Sequence, residues 1–185
     1  MPFPRTWIEE LILEWLQLQG FASQSNLPVV AAQAGGRFEA DIVGARIRDG
    51  TLEIRHIETG QLAGGENSTQ SVKKKFSTVI TTTITELFQT MFSFAGKSIA
   101  YQKLYVATFS TGPVMRDISV LGIEVQTVPE FVLDKVLPDI AAWKGDPPHR
   151  PQTRGSQITL PESYWLLQML DHLDKRGLIN RRDIQ

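Results

Sequence analysis

The sequence predicts an α/β domain: a mixed central sheet flanked by helices, in the order α, three β, α, β, α, β, with a helical extension at its C-terminal end. Three observations predict it. Asp49-Gly50 lies between two alternating runs, 38–48 and 51–60, and signals a hairpin, because a type I′ turn needs positive φ at both central residues. Helical periodicity flanks that hairpin on both sides, over 6–20 and 71–94. The stretch 103–128 then reads as strand, helix and strand, a spacing that makes a crossover and a parallel pair.

The first helix opens at Thr6 and closes at Gly20, with Ile8, Leu11, Ile12, Trp15 and Leu16 as its apolar stripe. Thr6 and Glu9 form a capping-box pair, Glu9 lies on the shoulder of the stripe, and Glu10 and Glu14 lie further round towards solvent. The short apolar run 28–34 is the expected first strand. In the hairpin, Arg48 faces Thr51 and, stepping outwards, Asp41 faces Glu58. One face then carries Asp41, Val43, Ala45 and Ile47 against Leu52, Ile54, His56 and Glu58. The other carries Ala40, Ile42, Gly44 and Arg46 against Glu53, Arg55, Ile57 and Thr59, with Arg46, Glu53 and Arg55 as a surface charge group. Opposed side chains sit about 4.5–5.5 Å apart at Cβ. Two carboxylates that close raise each other's pKa unless a cation lies between them, and so invite a metal.

Composition bounds the function. With 185 residues, 42% hydrophobic and 21% charged, the chain is long enough for one well-buried core. A net charge of −1 leaves no global basic field, so any nucleic-acid contact has to come from local clusters. Zero cysteines exclude disulfides, thiolate metal sites and thiol nucleophiles. With no signal peptide and no apolar run of membrane-spanning length, a cytoplasmic location and no membrane partner are expected.

An Asp near the start of one strand and a Glu near the end of the next, with a helix before and after, resembles the PD-(D/E)xK superfamily of restriction-endonuclease-like nucleases. The matching residues are Glu39-Ala40-Asp41 and His56-Ile57-Glu58-Thr59-Gly60. The resemblance implies a restriction-endonuclease-like core over 1–143, with 144–158 as a linker or surface arm and 159–185 as a helical extension. It implies Mg²⁺ or Mn²⁺ on Asp41 and Glu58, DNA as partner, and metal-dependent hydrolysis of DNA phosphodiester bonds in repair, restriction or mobile-element processing. A homodimer is compatible with it. An acid on the first helix often joins such a site, which makes Glu9 the matching candidate beside its capping role. The motif's lysine position falls on Gly60, and no base stands there. Glu53-Ile54-Arg55 is nearer the motif by letter, but it alternates onto the face opposite Asp41.

The missing lysine has candidates in Lys73-Lys74-Lys75, at the start of the second helical pattern. On one continuous helix with Val72, Phe76, Val79, Ile80, Ile84 and Leu87 as its buried face, Lys73 lies nearest that face, Lys75 further off, and Lys74 points away. Lys73 is therefore the expected catalytic lysine, Lys75 its substitute, and Lys74 and Lys75 phosphate contacts. The threonines weaken this helix and leave a strand over 79–85 as an alternative. His56, on the face of Glu58, is either a packed core histidine or a group near the scissile bond.

A helix from Pro129 is expected to be interrupted at Pro138. The arm 145–157 contributes Arg150 and Arg154 as nucleic-acid contacts. The last helix, from 159 to Gly177, presents Tyr164, Trp165, Leu166, Met169, Leu170 and Leu173 as a packing face, for the core or a dimer rather than for bases. Gly60 also supports a second reading, a nuclease-like module that has lost catalysis and binds nucleic acid or a partner protein. A third is a metal-free domain in which Asp41 and Glu58 pair with nearby bases.

Overall fold

The computed structural model describes residues 6–31, 37–63, 66–147 and 158–179. Its elements are α1 (Trp7–Leu18), β1 (Ala22–Ala31), β2 (Arg37–Arg48), β3 (Thr51–Leu62), α2 (Glu66–Lys75), α3 (Thr78–Met91), β4 (Ile99–Ser110), α4 (Gly112–Ser119), β5 (Glu124–Thr127), α5 (Val128–Phe131), a π-helical turn (Val132–Val136), α6 (Leu137–Gly145) and α7 (Trp165–Lys175). The sheet is mixed and lies in chain order from β1 to β5. Strands β1, β2 and β3 are antiparallel neighbours, and β3, β4 and β5 are parallel. This is the α/β architecture expected from the sequence, with helices on both sides of the sheet.

The hairpin turns at Asp49 (φ 49°) and Gly50 (φ 73°), both positive as a type I′ turn demands. Its pairs run from Arg48↔Thr51 to Ile42↔Ile57 in the expected register. Both faces are covered, so neither is a solvent face. Val43, Ala45, Leu52 and Ile54 pack under Ile80, Ile84 and Phe88 of α3. Ile42 and Ile57 pack under the α1 stripe, together with Leu104, Val106 and Phe131. Gly44 permits that approach, because a Cβ there would stand 3.1 Å from Leu16 Cδ1 and 3.3 Å from Phe21 Cβ. The Arg46 and Arg55 group accordingly lies partly beneath α1 rather than on open surface. Arg46 bonds Glu53 at 2.6 Å and stacks over Phe21, and Arg55 stacks over Trp15 and Phe21.

Several expectations change. β1 begins six residues before the expected start: as an edge strand it carries polar residues such as Ser23 and Gln24, which hide it from a search for apolar runs, and it tolerates Pro28 at a register shift. The remainder of the expected 28–34 run lies outside the described residues. The single helix over 71–94 is two helices, broken at Phe76-Ser77, with Ser77 in extended conformation as the cap of α3. Its threonines are accommodated because Thr83, Thr85 and Thr90 donate to the carbonyl four residues back. Pro138 does not interrupt its helix. A proline clashes with the carbonyl four residues earlier. Here the backbone widens into a π turn just before it, with Leu137 N donating to Val132 O five residues back, and the helix continues.

Glu14 is another. It is buried, not solvent-facing, and its carboxylate accepts from the backbone N–H of Leu166 (3.4 Å) and Leu167 (3.0 Å) at the start of α7. Trp165 Nε1 donates to Glu10 at 2.8 Å. The N-cap of α7, Tyr164, offers no side-chain acceptor, so α1 supplies the negative charge that the helix terminus favours. Leu166 and Leu167 enter the same core as α1, so the C-terminal helix shares the core of the sheet domain. The helix starts at Trp165 rather than at 159; Leu167 lay outside the expected face, whereas Trp165 and Met169 remain exposed.

Burial raises the Glu14 pKa, and the Leu167 and Leu166 bonds only partly offset that. A carboxyl with a raised folded pKa contributes stability that is fully present below its unfolded pKa, about 4.3, and is lost as pH rises through the folded value. Glu14→Ala is expected to cost about 1–3 kcal/mol in urea unfolding by leaving buried N–H groups unpaired. Glu14→Gln should gain on wild type as pH rises from 4 to 7. A constant difference between those two proteins over that range would contradict the assignment.

Candidate functional site

The site is built from the hairpin outwards. Asp41 on β2 and Glu58 on β3 stand at the outer end of the face covered by α2 and α3. Thr59 secures Asp41, its backbone N donating to Asp41 Oδ2 at 2.8 Å and its hydroxyl at 3.3 Å. Asp41 N reaches back to Glu58 Oε1 at 3.4 Å. Lys75, the last residue of α2, closes the cluster: its Nζ lies 3.1 Å from Asp41 Oδ2 and in direct contact with Glu58 Oε2. Glu58 keeps 1% of its side chain exposed, Asp41 22% and Lys75 30%, so solvent reaches the cluster from the Asp41–Lys75 side.

Burial opposes the Lys75 charge, but the carboxylates of Glu58 and Asp41 more than offset it and raise the pKa above the ordinary lysine value. The two carboxylates thus favour the ammonium form of Lys75, a donor to both of them.

The structure brings Lys75, not Lys73, to the carboxylates. Once the helix ends at Lys75, the residues of α3 no longer share its wheel, and Val72 and Phe76 alone define the buried stripe. At about 100° per residue, Lys73 and Lys75 then lie roughly 80° to either side of that stripe. The choice between them falls to tertiary packing, which turns Lys75 inward and leaves Lys73 and Lys74 exposed. The signal that could have shown this is Ser77, a capping residue type within the supposed helix. Glu9 sits on α1, which covers the opposite face of the sheet, and its N–H bonds Thr6 Oγ1 at 3.2 Å. Arg150 and Arg154 lie outside the described residues.

Gly60 has a positional reason. Its φ is +147°, and a Cβ there would stand 2.8 Å from the hydroxyl of Tyr105, the β4 residue paired with Glu58. Tyr105 fills the slot where a side chain at position 60 would project. Neither Tyr105 nor Tyr101 was singled out from the sequence, because the parallel register of β4 on β3 is not written in local pattern.

The donor set suits a hard divalent cation. Two carboxylates converge, and Asp41 Oδ1 has no hydrogen-bond partner among the described residues. Mg²⁺ and Mn²⁺ accept this arrangement, one or two carboxylates with water and substrate completing the shell. Among the described residues no group of three or more His, Cys, Asp or Glu side chains is placed to hold a metal ion, so a cation here would have Asp41 and Glu58 as its carboxylate ligands.

Gly60→Ala is expected to cost about 1–3 kcal/mol through backbone strain and the Tyr105 contact. Tyr105→Phe in the same chain should recover part of that loss, because the next ring atom stands 3.9 Å from the new Cβ. Strict additivity of the two changes in a double-mutant cycle would show that the hydroxyl does not occupy the slot.

No family model matches the chain, and no curated protein matches it. Among solved structures, one titled "Crystal Structure of Protein of Unknown Function AF1548" is similar over 92% of this chain and 77% of its own, with 16% identity and a TM-score of 0.44.

Proposed function

We propose that the protein is a metal-dependent nuclease that hydrolyses DNA phosphodiester bonds, through a site similar to that of the PD-(D/E)xK superfamily. Asp41 and Glu58 hold Mg²⁺ or Mn²⁺ in this reading, and Lys75 takes the part of the motif's lysine. The observation that carries it is the convergence of one ammonium on two carboxylates from adjacent strands, with the lysine reaching in from the following helix. Gly60 ceases to count against activity, since Tyr105 takes its slot and a lysine arrives by another route.

A divalent cation held there supplies Lewis-acid activation of water and offsets charge developing on the phosphate. The chain's own residues do the rest. Thr59 fixes the Asp41 carboxylate through Oδ2. Lys75, whose ammonium form the carboxylates favour, donates to the attacking water and to the phosphate oxygens as their charge grows. Lys73 and Lys74, exposed beside the site, are suited to backbone phosphate contacts.

The test is cleavage of duplex, single-stranded and branched DNA with Mg²⁺ or Mn²⁺. Lys75→Ala should lose about 10²–10³-fold in rate, the scale of removing one transition-state donor, while Lys73→Ala stays within a few-fold. Calorimetry should show that Asp41→Asn abolishes Mn²⁺ binding and that Lys75→Ala retains it. Full activity in Lys75→Ala would remove its assigned role. A wild-type protein inert on every substrate with either metal would favour the catalytically degenerate binding module.

A further inference from the structure

Glu58 is gripped from behind as well as from in front. Its Oε1 lies 2.8 Å from His56 Nε2, and the other ring nitrogen of His56, Nδ1, lies 3.1 Å from the Tyr101 hydroxyl. His56 is fully buried, with the Phe76 ring 4.6 Å away and the Tyr101 ring edge-on at 6.2 Å. The three side chains share one sheet face, since His56 and Glu58 are two residues apart on β3 and Tyr101 pairs with Ile54 on β4.

Counting protons sets the direction of this chain. Burial raises the Tyr101 pKa, so its hydroxyl keeps its proton and can donate to Nδ1. With Nδ1 accepting from Tyr101, Nε2 bears the ring proton and donates to Glu58 Oε1. The 2.8 Å and 3.1 Å contacts give each ring nitrogen of His56 a partner, one on the acid and one on β4.

We propose that Tyr101 and His56 form a positioning relay that holds Glu58 Oε1 inside the sheet and leaves Oε2 as the single oxygen turned out towards Lys75 and a divalent cation. The proposal rests on the cation site assigned to Asp41 and Glu58 above. His56 touches neither cation nor substrate in it. Its effect passes through Glu58, in the way that outer-shell partners orient a ligand and typically change metal affinity by about 10–100-fold.

Two measurements on the full chain test it. Long-range ¹H–¹⁵N spectra of the histidine rings should show His56 as the Nε2–H tautomer, with Nδ1 as acceptor, and Tyr101→Phe should shift that Nδ1 signal. In Mn²⁺ calorimetry, His56→Leu should bind about 10–100-fold more weakly than wild type. His56→Asn, which keeps a side-chain N–H, should recover part of the loss. An Nδ1–H ring, or an Nδ1 signal indifferent to Tyr101→Phe, overturns the relay, and this spectroscopic test holds even where a His56 variant fails to fold. Equal Mn²⁺ affinity in wild type and a folded His56→Leu protein also overturns it, leaving the metal site intact. A wild-type protein that binds no Mn²⁺ removes the metal reading itself, and the relay's assigned purpose falls with it.

Discussion

The pairing of Asp41 with Glu58 across the hairpin is the constraint on which the rest of the site depends. Two carboxylates on adjacent strands repel, and Glu58 is almost fully buried, so the pair is tenable only with a cation against it and donors behind it. Lys75 supplies the cation, Thr59 donates to Asp41, and the His56 ring stands 2.8 Å from Glu58. Each comes from a different point in the fold: the end of α2, the backbone of β3 beyond the acid, and the sheet interior two residues before it. Removing one partner leaves a buried charge uncompensated, so the cluster behaves as a unit.

The sheet serves both sides differently. The α2–α3 face carries the polar cluster at its outer end and an apolar core beneath α3. The α1 face is a second core, deepened by α5 and α7 and roofed at one edge by the guanidinium groups of Arg46 and Arg55 on Phe21 and Trp15. Arginine stems and planar heads can cover aromatic surface while remaining hydrogen-bonded, here to Gln19 and Gln102. Glu14 ties α7 to α1 and makes the C-terminal helix part of that core.

Glycine and helix breaks carry as much of the site as the charged residues do. Gly60 leaves room for the Tyr105 hydroxyl beside the carboxylates, and the break at Phe76-Ser77 ends α2 where Lys75 turns inward. A continuous helix would have kept Lys75 and α3 in one phase, with a different lysine nearest the sheet.

The sequence by itself determined the hairpin and everything that follows from its register: Asp49-Gly50 can take positive φ at both positions, and the two-residue period of a strand then places Asp41 against Glu58 on one face with His56. The order of elements and the α1 stripe were legible for the same reason, since each is a local period. What only the tertiary structure decided depends on contacts between distant segments. The parallel register of β4 on β3 brings Tyr101 and Tyr105 to the site, and parallel strands have no short turn to pin them. Lys73 and Lys75 flank the short stripe of α2 almost symmetrically, so no wheel can choose between them. The seating of α2 made that choice, with Val72 and Phe76 buried against Tyr105 and Ala107 and Lys75 on the side of the carboxylates.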